Sequence, residues 1–382
     1  MSEEVRAMVS FGPGNIRMQR FPYPESLPDD ALIAKMRMAG ICGTDHHIYS
    51  GHLEHIPWPI IQGHEVIAEA HEVGNKAAKQ LEIHGLTLEE GDRFTYPAGI
   101  SCGKCWYCRW LASVMRAGLC ENGVAYGENI SCKDPPHLFG GFAEYIYIRP
   151  DLLLYRLPKD IPDKVAVLVD TLSSSWGIDR AISPLPVARE GFMWGCSALV
   201  LGSGPVGMMA ALRFKEYGAS KVIMIGGPDF RLKHAQKCGV DHTMNIDEVA
   251  KPEDRIREVT RLTDGRGADV VIEAAGVPAA FAEGVEMVRR GGMYVEVGHY
   301  TDAGSTMLNP FRVCFKDLTL ISQYGFGPYQ YERDLQLLYK WYRNKEYPLE
   351  EIVTNEYKLE NLEEGLKAHR AWKTMKCVVL PQ

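Results

Sequence analysis

The chain has 382 residues, 46% of them hydrophobic and 24% charged, an ordinary globular composition with enough length for two or three domains. Its net charge of −7 and pI near 6.0, with no basic run or basic amphipathic stretch, argue against nucleic acid or an anionic membrane as main partner and leave small molecules. Residues 1 to 20 lack a signal peptide's apolar core and no run of about 18 apolar residues occurs, so a cytoplasmic location is expected.

In the first third, residues 31 to 40, 60 to 74, 91 to 99 and 142 to 158 alternate apolar and polar side chains between Gly and Pro turn signals. That pattern predicts a small, mostly β domain. Within it stand Gly-Ile-Cys42-Gly-Thr44-Asp45-His-His47 and, some twenty residues later, Gly63-His64-Glu65. Cys42 and His64 are first-choice zinc ligands, and at strand ends or loops they would leave a metal reachable. Thr44, Asp45, His47 and Glu65 are near enough in sequence to serve as hydroxyl, supporting groups and proton carrier. A lone Cys or His is more often a packed core residue, so the reading requires a third ligand and a redox partner.

Cys102, Cys105 and Cys108 follow one another at strict three-residue intervals, and Cys120 comes after eleven further residues. Four thiolates make a closed tetrahedral zinc site that stabilises a lobe and does no chemistry. Cys132 is the alternative to Cys120. The lobe lacks the His pair and long recognition helix of a nucleic-acid-binding zinc finger. Ten Cys in a chain without an export signal fit metal ligation better than disulfides.

From residue 197 apolar strands alternate with helical stretches. SALVLG leads into Gly202-Ser203-Gly204-Pro205-Val206-Gly207, a strand, a tight glycine turn and a helix start. Gly202 suits the turn, Gly204 a close approach to pyrophosphate, and Gly207 the packing of helix on strand. Further strands at 221–226, 241–246, 268–276, 291–299 and 317–324 complete a doubly wound parallel sheet that binds a dinucleotide. After 324, two helix-like stretches and a final strand, KCVVLP, are expected to fold back on the first domain. The nicotinamide would then meet the metal in a cleft between domains.

GICGTDHH, GHE, the four-Cys lobe, GGFAEY at 140–145 and GSGPVG, in this order, resemble the zinc-dependent medium-chain alcohol and polyol dehydrogenases over nearly the whole chain. The resemblance implies an α/β fold with a GroES-like catalytic domain over 1–175, its zinc lobe at 99–122, a Rossmann domain over 176–324 and a C-terminal return over 325–382. It implies two zinc ions per chain, one catalytic and one structural, and a homodimer or homotetramer. Cys42 and His64 would be catalytic zinc ligands, supported by Asp45 and Glu65. Thr44 would take the substrate hydroxyl proton and His47 would pass it towards solvent.

The third ligand in such proteins is a Cys, Glu or Asp just after the first domain's last apolar run, here KVAVLVDTLSSSWGIDRA, which places Asp170. An ionised carboxylate behind the buried run AVLV needs a cation or several donors. Glu65 is the competing ligand, and a helix cap is the other reading of Asp170.

Three positions depart from the family pattern: the long Cys108 to Cys120 interval, Gly226 where an acidic residue usually selects NAD, and Ala98 where an aromatic often narrows the substrate pocket. The following Gly227-Pro228-Asp229 has no cation for a 2′-phosphate, so NAD is favoured over NADP, with Arg231 as the counter-argument. His52, His55, Trp58, Tyr96 and Tyr324 are candidates to line the pocket. The expected reaction interconverts an alcohol and an aldehyde or ketone. A zinc-free enone or quinone reductase would need neither Cys42 nor the lobe, and a non-catalytic dinucleotide-binding protein would not retain Cys42, His64, Thr44 and Asp170 together.

Overall fold

The alternating segments of the first third become antiparallel strands. The computed structural model describes residues 4–110, 117–182 and 194–381. The chain divides into two units, Met1–Asp170 with Gly325–Gln382, and Thr171–Tyr324.

In the first unit the main sheet runs in the order Tyr155–Arg156, Arg93–Thr95, Glu65–Val73, Leu32–Ile41, Lys376–Leu380, Val353–Lys358, and Tyr145–Ile148 also pairs with Leu32–Ile41. Leu32–Ile41 is central because almost all its side chains are buried, so it needs neighbours on every side. Its flanking strands supply the site: Glu65 lies opposite Gly40, and Cys377 and Val378 pair with Ile41 and Gly40. The C-terminal segment belongs to this core, with Leu359, Leu362, Leu366, Cys377 and Val379 packed in one cluster with Val5, Leu32 and Val66.

Two features lie outside the patterns read from sequence. Glu4–Gly12 and Asn15–Pro22 form a hairpin, capped by Ile60–Ile61 in a three-stranded sheet. Residues 43–50, to which the sequence patterns assign no element, form the helix Gly43–Ser50 directly after the central strand.

In the second unit six strands, His242–Asn245, Lys221–Gly226, Ser197–Leu201, Ala268–Glu273, Val288–Glu296 and Thr319–Ser322, lie in that order, all parallel. The order reverses between Ser197–Leu201 and Ala268–Glu273. At such a switch point the carboxyl ends of the strands open a crevice.

Candidate active site

Cys42 stands between the central strand Leu32–Ile41 and the helix Gly43–Ser50, at that helix's N-cap position. Its amide donates to Asp45 Oδ2 at 2.9 Å, and Asp45 Oδ1 accepts from the Gly63 amide at 3.2 Å. Gln62 Nε2 donates to the Asp45 carbonyl at 2.9 Å. The fully buried Asp45 thus ties together the two segments that carry Cys42 and His64. Burial pushes its pKa up to about 6 against the opposing effects of His64 and the Cys42 amide.

Gly40 makes room for Glu65: a Cβ there would stand 1.8 Å from Glu65 Oε2. The donor atoms of Cys42, His64 and Glu65 lie within 4.8 Å of one another. Thr44 Oγ1 is 3.8 Å from Cys42 Sγ. His64 Nδ1 is buried without a hydrogen-bond partner among the described residues, 3.7 Å from Asp45 Oδ1 and 3.8 Å from Glu128 Oε1. Burial acts to lower the His64 pKa, but Asp45 and Cys42 raise it well above its ordinary value.

Asp170 is outside that trio. It is buried as the third residue of the helix Leu168–Ser173, so it is not that helix's cap. Burial pushes its pKa up to about 7, with Glu65 adding to the rise and His64 and Lys376 opposing it. Lys376 is buried and its Nζ lies 2.5 Å from Glu65 Oε1. Cys42, His64 and Glu65 present donor atoms that suit a divalent cation, and with buried Asp45 and Asp170 and half-buried Glu128 nearby against one lysine, the excess of acidic groups needs a compensating charge.

Sequence reasoning missed Lys376 and Glu128. A lysine opening the apolar strand KCVVL was the available signal for the first. Glu128 had none. It reaches His64 because Gly127 packs on Gly63, where a Cβ would stand 2.4 Å from the Gly63 carbonyl oxygen. His47 and His52 approach with Nδ1 to Nδ1 at 3.2 Å, so His47 leads outward to an exposed imidazole. Of the pocket candidates, Tyr96 is fully buried against Tyr126, His55 is exposed beside Glu54, and Tyr324 stacks on Tyr300 in the other unit.

The four sulfurs of Cys102, Cys105, Cys108 and Cys120 also lie within 4.8 Å of one another. Cys132 is elsewhere, its thiol facing the Pro59 carbonyl. The Lys104 and Cys105 amides bring the Cys102 thiol down to about 6, whereas burial pushes Cys108 up to about 12. Four adjacent thiols cannot all ionise unless a cation sits among them, which is the chemistry of a closed zinc site.

In the second unit the glycine turn is cut to fit a close ligand. A Cβ at Gly202 (φ 109°) would stand 2.8 Å from the Ala274 backbone, and one at Gly207 would stand 1.9 Å from the Gly202 carbonyl oxygen. Gly204 has open space except for Arg231 Nη1 at 3.8 Å, and Pro205 and Val206 begin the helix Pro205–Glu216. Pyrophosphate at this helix start would meet free amides. Gly226 has a local cause: a Cβ there would stand 2.6 Å from Ser203 Oγ, which itself brackets the Gly227 peptide.

Residues 28–159 match the alcohol dehydrogenase GroES-like domain and residues 205–340 the zinc-binding dehydrogenase domain. An L-threonine 3-dehydrogenase of Pyrococcus horikoshii is 31% identical over 385 residues, covering 100% of this chain and 99% of that one. A sorbitol dehydrogenase of Halalkalibacterium halodurans is 28% identical, covering 97% of each. The crystal structure of an alcohol dehydrogenase from Thermotoga maritima superposes with a TM-score of 0.89 at 25% identity, covering 100% of both chains. The chain belongs to the zinc-dependent medium-chain alcohol and polyol dehydrogenase family. It is an NAD(P)-dependent oxidoreductase that interconverts an alcohol and a carbonyl compound by hydride transfer.

Proposed function

We propose that Cys42, His64 and Asp170 hold a catalytic zinc, that Cys102, Cys105, Cys108 and Cys120 hold a structural one, and that the substrate is a small polar alcohol. The observation that carries the reading is the cluster of ligand-type groups around buried His64, whose Nδ1 has no hydrogen-bond partner among the described residues. Lys376 engages Glu65, which supports Asp170 as the third ligand, with Glu65 as the alternative. The metal, when bound, supplies Lewis-acid polarisation of the substrate oxygen.

The chain's own groups then handle the proton. Thr44 Oγ1, beside Cys42, takes the substrate hydroxyl proton, and His47, one turn further along the same helix face, passes it outward past His52. Asp45 and Glu128 flank His64 Nδ1, holding its ring by charge. The glycine turn receives the pyrophosphate and orients the nicotinamide for hydride transfer.

NAD is the preferred cofactor in this reading. No side chain can replace hydrogen at Gly226, Arg231 is buried towards Gly204 rather than exposed as a phosphate clamp, and Asp229 puts negative charge near the ribose end. Sorbitol and L-threonine, named for two relatives, both carry a hydroxyl beside another polar group, and such a compound is proposed here. The ten thiols, none in a disulfide, support a cytoplasmic setting. No helix among the described residues is long and apolar enough to cross a membrane.

The test combines metal analysis with a screen of primary alcohols, secondary alcohols, polyols and hydroxy amino acids using both cofactors. Two zinc ions per chain are expected, one at each thiol-containing cluster, and chelator should abolish activity well before it unfolds the lobe. One zinc or none in carefully prepared protein would sink the assignment.

A further inference from the structure

His47 and His52 meet because of the way the helix Gly43–Ser50 ends. The His52 amide donates to the His47 carbonyl at 2.9 Å and the Gly51 amide to the Ile48 carbonyl at 3.1 Å, with Gly51 in the left-handed conformation (φ 75°). This paired bonding turns the chain back on the last helical turn and sets the side chains of its first and last residues against each other, a place that an apolar pair often fills. Here it holds two imidazoles, His47 half-buried and His52 exposed.

The facing atoms are both Nδ1, 3.2 Å apart, on rings whose centroids are 5.4 Å apart. Two imidazole nitrogens bound to one tetrahedral zinc at about 2.0–2.1 Å stand about 3.3 Å from each other. The pair therefore already has the bite of a metal chelate, and an ion would take the place of the hydrogen shared between the rings. Two further features favour it. The carbonyl end of a helix attracts a cation. Burial first, and His52 next, lower the His47 pKa from the ordinary 6.5, so protons compete less with an ion for that ring. His46 is a neighbour of the pair and not a member. Its ring centroid lies 5.8 Å from that of His47 and 6.0 Å from that of His52, and its two nitrogens are 3.3 and 3.4 Å from Ser50 Oγ. Arg370 is among the groups that act on it, which keeps an added cation towards the other two rings.

We infer that His47 and His52 clamp a further zinc ion, beyond the catalytic and structural ones, and that this ion occupies the His47 imidazole and closes the proton's way out, so that a surplus of the enzyme's own metal slows it. The clamp rests on the geometry of the two rings, and the slowing rests on the proposed role of His47 as proton carrier.

Protein already carrying its two expected zinc ions is dialysed near neutral pH against graded free Zn2+, and zinc per chain and alcohol oxidation are measured in the same buffers. The wild-type protein should take up a third ion, and oxidation should fall with the same midpoint as the uptake. His52→Asn removes one arm of the chelate and should raise both midpoints by about tenfold or more. His55→Asn removes another exposed imidazole of the same segment and should move neither. No third ion in the wild type, or one that both variants lose or both keep, overturns the clamp and leaves the dehydrogenase reading intact. A third ion that depends on His52 but leaves oxidation unchanged overturns the closure, and with it His47 as the carrier. If His52→Asn does not fold, nitrogen NMR of histidine-labelled wild-type protein decides: the Nδ1 resonances of His47 and His52 should move together as the third ion is added, and movement of only one, or of neither, refutes the assignment.

Discussion

Asp170 and Glu65 are two buried carboxyls competing for one role, and their surroundings differ. Glu65 has Lys376 against it, whereas Asp170 is pushed towards its neutral form by burial. If Asp170 ligates the metal, Asp170→Asn should lose catalytic zinc and nearly all turnover while NADH binding persists. If it is only a packed residue of its helix, the same change should lower stability by about 1 kcal/mol and leave zinc content full. Zinc analysis and an NADH titration on the one variant separate the outcomes. His47 gives a second residue-level test. Burial first, and His52 next, lower its pKa from the ordinary 6.5, so it stays neutral and able to accept a proton until the pH falls through that lowered value. Oxidation by His47→Gln should therefore fall below wild type mainly under about pH 8, where hydroxide is scarce and an imidazole base is most useful. Superimposable pH profiles would show that the proton leaves by another route.

At the scale of elements, short segments carry the chemistry and glycines decide their approach. The helix Gly43–Ser50 was unreadable from periodicity because it is eight residues long with three buried side chains. It ends at Gly51 in the left-handed conformation (φ 75°), with Pro13 of the N-terminal hairpin's turn where a Cβ would point. That hairpin was missed because its strands lie beyond the segments with clear alternation. The glycine turn, by contrast, was fully legible: strand, GSGPVG and helix stand as read, because Gly202 and Gly207 each answer a clash with nearby backbone, while Gly204 leaves open space at the helix start. Gly207→Ala tests this. The added Cβ would meet the Gly202 carbonyl oxygen, and neither backbone can move away. Overpacking of this kind costs about 1–3 kcal/mol, and the turn should lose its fit to pyrophosphate. Urea denaturation and NADH titration should show a lower midpoint together with weakened cofactor binding; a variant that binds NADH normally would contradict the role given to the turn.

At the scale of the whole molecule, the strand Thr319–Ser322 forms a sheet edge with no strand paired beyond it among the described residues. This strand is last in the parallel sheet; its own Leu320 is exposed, as are Met307 (94% exposed), Phe311 and Phe315 in the segment that leads into it. An exposed edge with an apolar rim is a template for strand pairing, and a second copy of the same edge satisfies it in a closed twofold arrangement. Homodimers are accordingly proposed. Leu320→Lys should shift the protein towards monomer in sedimentation experiments while leaving NADH binding in place. A wild-type protein that sediments as a monomer, or a variant with unchanged mass, would refute this edge as the interface.

By itself the sequence determined the elements whose causes are local: the three-residue spacing of the lobe's cysteines, the glycine turn, the apolar strands of the second unit, and the pairing of Cys42 with His64 as ligand types. What only the tertiary structure decided are the neighbours brought in by sheet register. Lys376 reaches Glu65 across 311 residues because its strand and that of Glu65 flank Leu32–Ile41 on opposite sides. Glu128 reaches His64 through the contact of Gly127 with Gly63, and Glu296 meets Glu273 because parallel strands end level with one another. Period and spacing record which way a side chain points along its own element. They carry no record of which element lies alongside, and that is set by how the apolar faces of distant segments fit together.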